Sequence, residues 1–120
     1  AERTNALGRL RCRFDCPKTV AVRDPFIAGH LYRIAQEAVN NAVKHARARH
    51  ATIRLLQTGR ELQLVIEDDG AGLPKARAPK SDGIGLGVMK HRASAIGAGL
   101  QIDSRRGEGV TIRCTLSFPP

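Results

Sequence analysis

Three clusters of polar residues in this sequence have the types and spacings needed to handle a charged, phosphorylated ligand. The first is Glu37, Asn41, Lys44 and His45, which on a helix would line up as one polar stripe at i, i+4, i+7 and i+8. A solvated face would explain charged residues there, but Asn40 and Asn41 are poor helix-interior residues whose amides compete with the backbone. A carboxylate and an amide one turn apart offer hard oxygen ligands suited to Mg2+, and Lys44 can meet phosphate. The second cluster is Glu67-Asp68-Asp69-Gly70-Ala71-Gly72, where acidic residues leave an apolar strand and enter a glycine turn. As structure alone this is an acidic turn. As chemistry, Asp68 can accept a hydrogen bond from an exocyclic amine while Gly70 and Gly72 let backbone approach a planar ring. The third is Asp82-Gly83-Ile84-Gly85-Leu86-Gly87, which opens a helix and so presents free N–H groups to phosphate. No strand immediately precedes it, as a dinucleotide-binding fold requires, and no Gly-Lys-Ser/Thr ending marks a Walker-type cradle.

These clusters need elements to hold them. From about Ile27 to Ala46 the apolar residues Ile27, Leu31, Ile34, Ala35, Ala38, Ala42 and Val43 recur at helical intervals. Two β-rich runs follow, Ala51-Thr-Ile-Arg-Leu-Leu and Leu62-Gln-Leu-Val-Ile-Glu, joined around Thr58-Gly59-Arg60 as a hairpin. The stretch from Asp68 to Gly87, rich in glycine and carrying Pro74 and Pro79, reads as a mobile loop that would order on ligand binding. Helical character resumes from about Leu86 to Ile96 and stops at Gly97 and Gly99. Leu100 to Ser104 and Val110 to Phe118, around Arg105-Arg-Gly-Glu-Gly109, form a second hairpin. Upstream, residues 11 to 15 and 19 to 23 are short alternating segments with Pro17 between them, as in edge strands. This order predicts an α+β fold: a two-layer sandwich with a mixed, mostly antiparallel sheet of about five strands, covered by helices on one face.

Taken together, the three clusters resemble the N box and the two glycine boxes of the Bergerat ATPase superfamily. The run Leu31-Tyr-Arg-Ile-Ala-Gln-Glu-Ala-Val-Asn-Asn-Ala-Val-Lys-His-Ala46, with Gly85-Leu-Gly-Val-Met-Lys-His-Arg-Ala93, is most similar to sensor histidine kinases of the nitrate-sensor type, which pair with LuxR-like response regulators. The likeness runs from about residue 28 to 118. It implies ATP and Mg2+ as cofactors, with Asn41 as Mg2+ ligand and Glu37 as the catalytic residue that orients a metal-bound water or acts as base. It also implies that Lys44 and His45 face the phosphates, that Asp68 holds adenine with Gly70 and Gly72 beside it, and that Gly83, Gly85 and Gly87 close a lid. The phenylalanine-rich segment of many histidine kinases is missing between the glycine boxes, as in the nitrate-sensor type, and the short lid differs from those of gyrase and MutL.

Composition bounds this reading. With 120 residues, 42% of them hydrophobic, the chain suits one domain, 1–120. No run approaches the ~18–20 apolar residues of a membrane span, and no secretion signal opens the chain. The three cysteines, Cys12, Cys16 and Cys114, lack zinc-site spacing and suit reduced thiols in the cytoplasm. A first residue other than Met suits a fragment, whose parent the resemblance allows to be membrane-attached. The net charge of +9 favours an anionic partner, while only four aromatic side chains argue against a single-strand nucleic-acid module. The expected function is therefore transfer of the γ-phosphate of Mg-ATP to a histidine on a separate dimerisation domain, with catalysis by positioning and charge neutralisation. Two alternatives remain: an anti-sigma-type serine kinase, and a basic binding module that keeps the fold without catalysis. None of the four histidines sits in an acceptor setting, so the chain alone is expected not to phosphorylate itself.

Overall fold

The computed structural model describes residues 2–4, 11–15, 24–44, 48–70, 86–105 and 109–118. Six strands and two helices are described: β1 Glu2–Thr4, β2 Arg11–Asp15, α1 Pro25–Lys44, β3 His50–Thr58, β4 Glu61–Asp68, α2 Leu86–Ala95, β5 Gly99–Arg105 and β6 Gly109–Ser117. The strands form one sheet in the order β1-β2-β3-β4-β6-β5. Only β2 and β3, which flank α1 in the chain, pair in parallel; the other pairings are antiparallel. The crossover helix α1 joins the parallel neighbours, and a two-residue turn at Gly59-Arg60 joins β3 to β4. The sixth strand is the three-residue β1, too short to carry an alternation signal. Residues 19–23, read above as a strand, lie outside the described residues.

The helix α1 starts two residues before its apolar periodicity does. Asp24 is its cap: its Oδ1 accepts the Phe26 N–H at 2.9 Å, its carbonyl accepts the Ala28 N–H at 2.9 Å, and Pro25 takes the first helical position. The end of α2 is set as the sequence suggests. Gly97 adopts φ 72°, with the Ala98 N–H bonded to the Ala93 carbonyl (2.8 Å) and the Gly97 N–H to Ser94 (3.0 Å), a Schellman stop.

One face of the sheet is apolar in cross-strand rungs. Ile53, Ile66, Ile112 and Ile102 stand in register across β3, β4, β6 and β5, and Leu55, Leu64, Cys114 and Leu100 form the next rung. Against them pack Leu31, Ile34 and Ala38 of α1 and Leu86, Met89 and Ala93 of α2. Both helices therefore cover the same face, a two-layer α+β sandwich. Burial pushes the Cys114 thiol up to about 11, which makes this cysteine an inert packing residue.

Candidate functional site

Near its C-terminal end α1 turns from anchoring the core to carrying polar groups. Ala38 and Ala42 face inward and are buried; Asn41, between them, is 7% exposed and is the buried polar side chain among the described residues. Glu37, one turn earlier, is partly buried, and Lys44 closes the helix. His45 lies outside the described residues.

The route from this helix end to the sheet is short and fixed. The Ala48 N–H donates to the Ala42 carbonyl at 2.9 Å, and Ala42, Ala48 and Ala51 pack together as a small cluster. Ala51 is in turn the register partner of Asp68. Alanine at all three positions lets helix end and strand backbone approach closely. That brings Asn41 to the same end of the sheet as Asp68, 27 positions further along the chain.

Asp68 ends β4 and is half-buried. Its Oδ1 accepts the Gly70 N–H at 2.9 Å and the Val110 N–H at 3.3 Å. Both of these bonds go to one oxygen, Oδ1, rather than to Oδ2. Burial pushes this carboxyl above its ordinary 3.8, against the lowering effect of the two N–H groups, and the neighbouring Asp69 adds to the rise. A partly dehydrated carboxylate aimed by two backbone donors gains more from a new donor than a solvated one does. Gly70, buried, supplies one of those donors.

The second donor depends on a glycine that sequence reading passed over as part of a turn. Gly109 has φ 90°, and a Cβ built there would overlap the Asp68 carbonyl oxygen. Only glycine therefore lets β6 come close enough for Val110 to reach Asp68. Its signal in the sequence was the Gly-Glu-Gly turn, whose use as a close approach to Asp68 no local pattern reveals. Asp69 was likewise unassigned. Its Oδ1 accepts the N–H groups of Arg49 (2.8 Å) and His50 (2.9 Å), and its Oδ2 lies 2.7 Å from His50 Nδ1. Burial works to raise Asp69, but the bonds from His50 and Arg49 outweigh it and hold the carboxyl below its ordinary value.

Gly87 of the third cluster lies in the first turn of α2, partly buried, while Gly72, Gly83 and Gly85 and most of the run read as a mobile loop lie outside the described residues. The two helices meet at the last turn of α2, with Arg92 Nη1 3.4 Å from His30 Nδ1 and Phe26 edge-on to the His30 ring at 4.6 Å.

Among the described residues no three His, Cys, Asp or Glu side chains gather as a metal cage. A divalent cation here would have few protein oxygens, Asn41 and Glu37 first, and would complete its shell elsewhere. That donor set fits Mg2+ shared with phosphate oxygens and water better than it fits a protein-enclosed metal. Among the described residues no helix is long and apolar enough to cross a membrane.

Comparisons with known proteins bear on the fold and the family. Residues 27–120 match the family described as histidine kinase-, DNA gyrase B-, and HSP90-like ATPase. The signal transduction histidine-protein kinase/phosphatase UhpB of Salmonella typhimurium is 44% identical over 82 residues, 68% of this chain and 16% of its own length. The sensor histidine kinase LiaS of Bacillus subtilis is 35% identical over 94 residues, 78% of this chain and 26% of its own. Among solved structures, the blue-light activated histidine kinase of Erythrobacter litoralis superposes with a TM-score of 0.78 at 25% identity, covering 92% of this chain and 36% of that one. The Acinetobacter baumannii histidine kinase AdeS shares the fold, with a TM-score of 0.73 at 18% identity over 93% of this chain and 56% of its own. The chain thus spans about a quarter or less of the curated relatives' length. It belongs to the histidine kinase-, DNA gyrase B- and HSP90-like ATPase family, and its similarities within that family run to sensor histidine kinases.

Proposed function

We propose that this chain binds Mg-ATP and presents the γ-phosphate to a histidine on a separate dimerisation domain, from which a response regulator of the LuxR-like kind receives it. The observation that supports the reading is the placement of half-buried Asp68 and buried Asn41 at the same end of the sheet. Asp68 Oδ2 accepts a hydrogen bond from the adenine amine, and Gly70 and Gly72 leave room for the ring. Asn41 holds the metal, and Glu37 orients a metal-bound water or takes the acceptor's proton. Lys44 and His45 face the phosphates, and Gly83, Gly85 and Gly87 supply N–H groups as the lid closes. Mg2+, when bound, neutralises charge on the phosphate oxygens. Domain boundaries at 1–120 suit a cytoplasmic catalytic unit of a parent that is free to be membrane-attached.

The histidines of the chain support an acceptor located elsewhere. His30 is engaged by Phe26 and Arg92, and His50 by Asp69. Neither is followed by an acidic residue, since Leu31 and Ala51 come next. The test is incubation with labelled ATP and Mg2+, alone and with the parent's acceptor domain. Acid-labile label is expected on the acceptor domain only. Label on the chain alone, or acid-stable label on a serine, would contradict the reading.

A further inference from the structure

The site as read gives Asp69 no task, yet Asp69 makes more bonds than Asp68 does. Its Oδ1 takes two backbone N–H groups, from Arg49 and His50, its Oδ2 meets the His50 ring, and its own N–H donates to the His50 carbonyl at 3.1 Å. These four bonds join the residue that follows β4 to His50 at the start of β3 and to Arg49 just before it. Their effect on global stability is small, because the His50 and Asp69 side chains are 64% and 48% exposed and an ion pair that wet is largely screened. Their effect on geometry is not small. One oxygen shared by consecutive N–H groups fixes the direction of the backbone that carries them.

That backbone is the return from α1. Arg49 follows Ala48, whose N–H is bonded to the Ala42 carbonyl, and Ala42 follows Asn41. An unbroken path of covalent and hydrogen bonds therefore runs from Asn41 through Ala42, Ala48 and Arg49 to Asp69, and so to Asp68. Parallel to it, Ala42 packs on Ala48 and Ala51. Without the Asp69 side chain the Ala48–Ala42 bond and the alanine contacts remain, but the Arg49 and His50 N–H groups lose the shared acceptor that fixes their direction.

We propose that Asp69 is a positioning residue that sets the separation between Asn41 on α1 and Asp68 on β4. It thereby fixes the span between the phosphate end and the adenine end of the site. The proposal rests on the nucleotide reading of Asp68 and Asn41 given above. Its consequence is specific: a ligand that touches both ends, an adenine nucleoside triphosphate with its divalent cation, depends on the clamp, whereas one that touches only the Asp68 end does not. A displacement of about 1 Å in a two-ended site is enough to cost an order of magnitude or more.

The test compares two ligands on three proteins: the parent chain, Asp69→Ala and Asp69→Asn. The ligands are a non-hydrolysable ATP analogue with Mg2+, titrated by calorimetry, and adenosine, titrated by chemical-shift changes. Asp69→Ala is expected to weaken the Mg-bound analogue about 10-fold while adenosine changes less than about 2-fold. Asp69→Asn, whose amide oxygen can still accept both N–H groups, should restore the analogue to within about 3-fold of the parent. If Asp69→Ala melts below the assay temperature, Asp69→Ser, which reaches at most one of the two N–H groups, takes its place. Equal losses for both ligands would reduce Asp69 to a structural residue, and no loss for either would remove the clamp; each overturns the proposal while the parent's binding upholds the site. A parent chain that binds neither ligand would instead overturn the nucleotide reading, and the proposal with it.

Discussion

The middle of the sheet and the end of it are built on opposite terms. In the middle, β4 and β6 contribute Leu62, Leu64, Ile66, Ile112, Cys114 and Leu116, in register and all at most 5% exposed, beneath two helices. Each contact there is non-directional, and neighbours share the load. At the end of β4, two adjacent carboxylates hold their places by individual backbone N–H bonds at 2.8–3.3 Å, with a glycine admitting the strand alongside. The middle fixes whether the chain folds and the end fixes what the folded chain can hold. A substitution should accordingly show up in one property or the other, depending on where it falls.

The largest separation is expected from Leu64→Ala. Leu64 is 4% exposed and stands between Leu55 and Cys114, so truncation opens a cavity and should cost about 2–5 kcal/mol in denaturant unfolding. Nucleotide affinity of the folded fraction should stay within about 2-fold. Gly109→Ala is the mixed case, because its Cβ meets the Asp68 carbonyl and its φ is 90°. It should cost about 1–3 kcal/mol of stability and also weaken nucleotide, as the Val110 bond to Asp68 is pushed apart. Loss of stability with full affinity would show that the Val110 bond does not matter to the site.

Asp68→Asn should do the reverse of Leu64→Ala. The amide oxygen can still accept from Gly70 and Val110, and the cost of holding a charge in a half-buried place disappears, so the melting temperature should equal or exceed the parent's. Adenine nucleotides should bind about 10- to 100-fold more weakly, the loss of a charge-assisted hydrogen bond of ~1.5–3 kcal/mol. Parent-like affinity in that variant would remove Asp68 as the adenine anchor.

The smallest effect is also the finest probe of the strand end, because Asp68 and Asp69 shift in opposite directions. Asp69 is held below 3.8, so the stability it contributes is present above that value and lost as pH falls through its folded value. Asp68 is raised above 3.8, so the folded chain takes up a proton before the unfolded chain does, and its contribution grows as pH falls through that window. In urea midpoints measured from pH 6 down to pH 3, Asp68→Asn should lose stability more steeply than the parent, and Asp69→Asn more gently. Matching slopes in all three proteins would mean that neither carboxylate senses its surroundings.

Much of the molecule was legible before its structure, for reasons that can be named. Helical and alternating periods are local, and they placed α1, α2 and both hairpins to within a few residues. The start of α1 was missed because the reading followed apolar spacing and overlooked Asp24-Pro25, a cap and first-turn pair. Glu37, Asn41, Asp68 and Gly70 were singled out through their types and spacing, and the structure brings the end of α1 to the end of β4. Asp69, Gly109, Val110 and Ala48 were not found. Their roles consist of bonds to residues far along the chain, such as Asp68 to Val110 and Asp69 to Arg49, and no local pattern encodes a tertiary partner.

The claim that most needs a direct test is that the end of the sheet is an adenine- and metal-dependent nucleotide site. Calorimetric titration of the chain with a non-hydrolysable ATP analogue, with and without Mg2+, and with its guanine counterpart, addresses both halves at once. Saturable one-to-one binding that tightens with Mg2+ and fails for guanine is the predicted result. Binding that ignores Mg2+, accepts guanine equally and falls steeply with salt would instead be the attraction of a chain with net charge +9 for any polyanion, and would contradict the account.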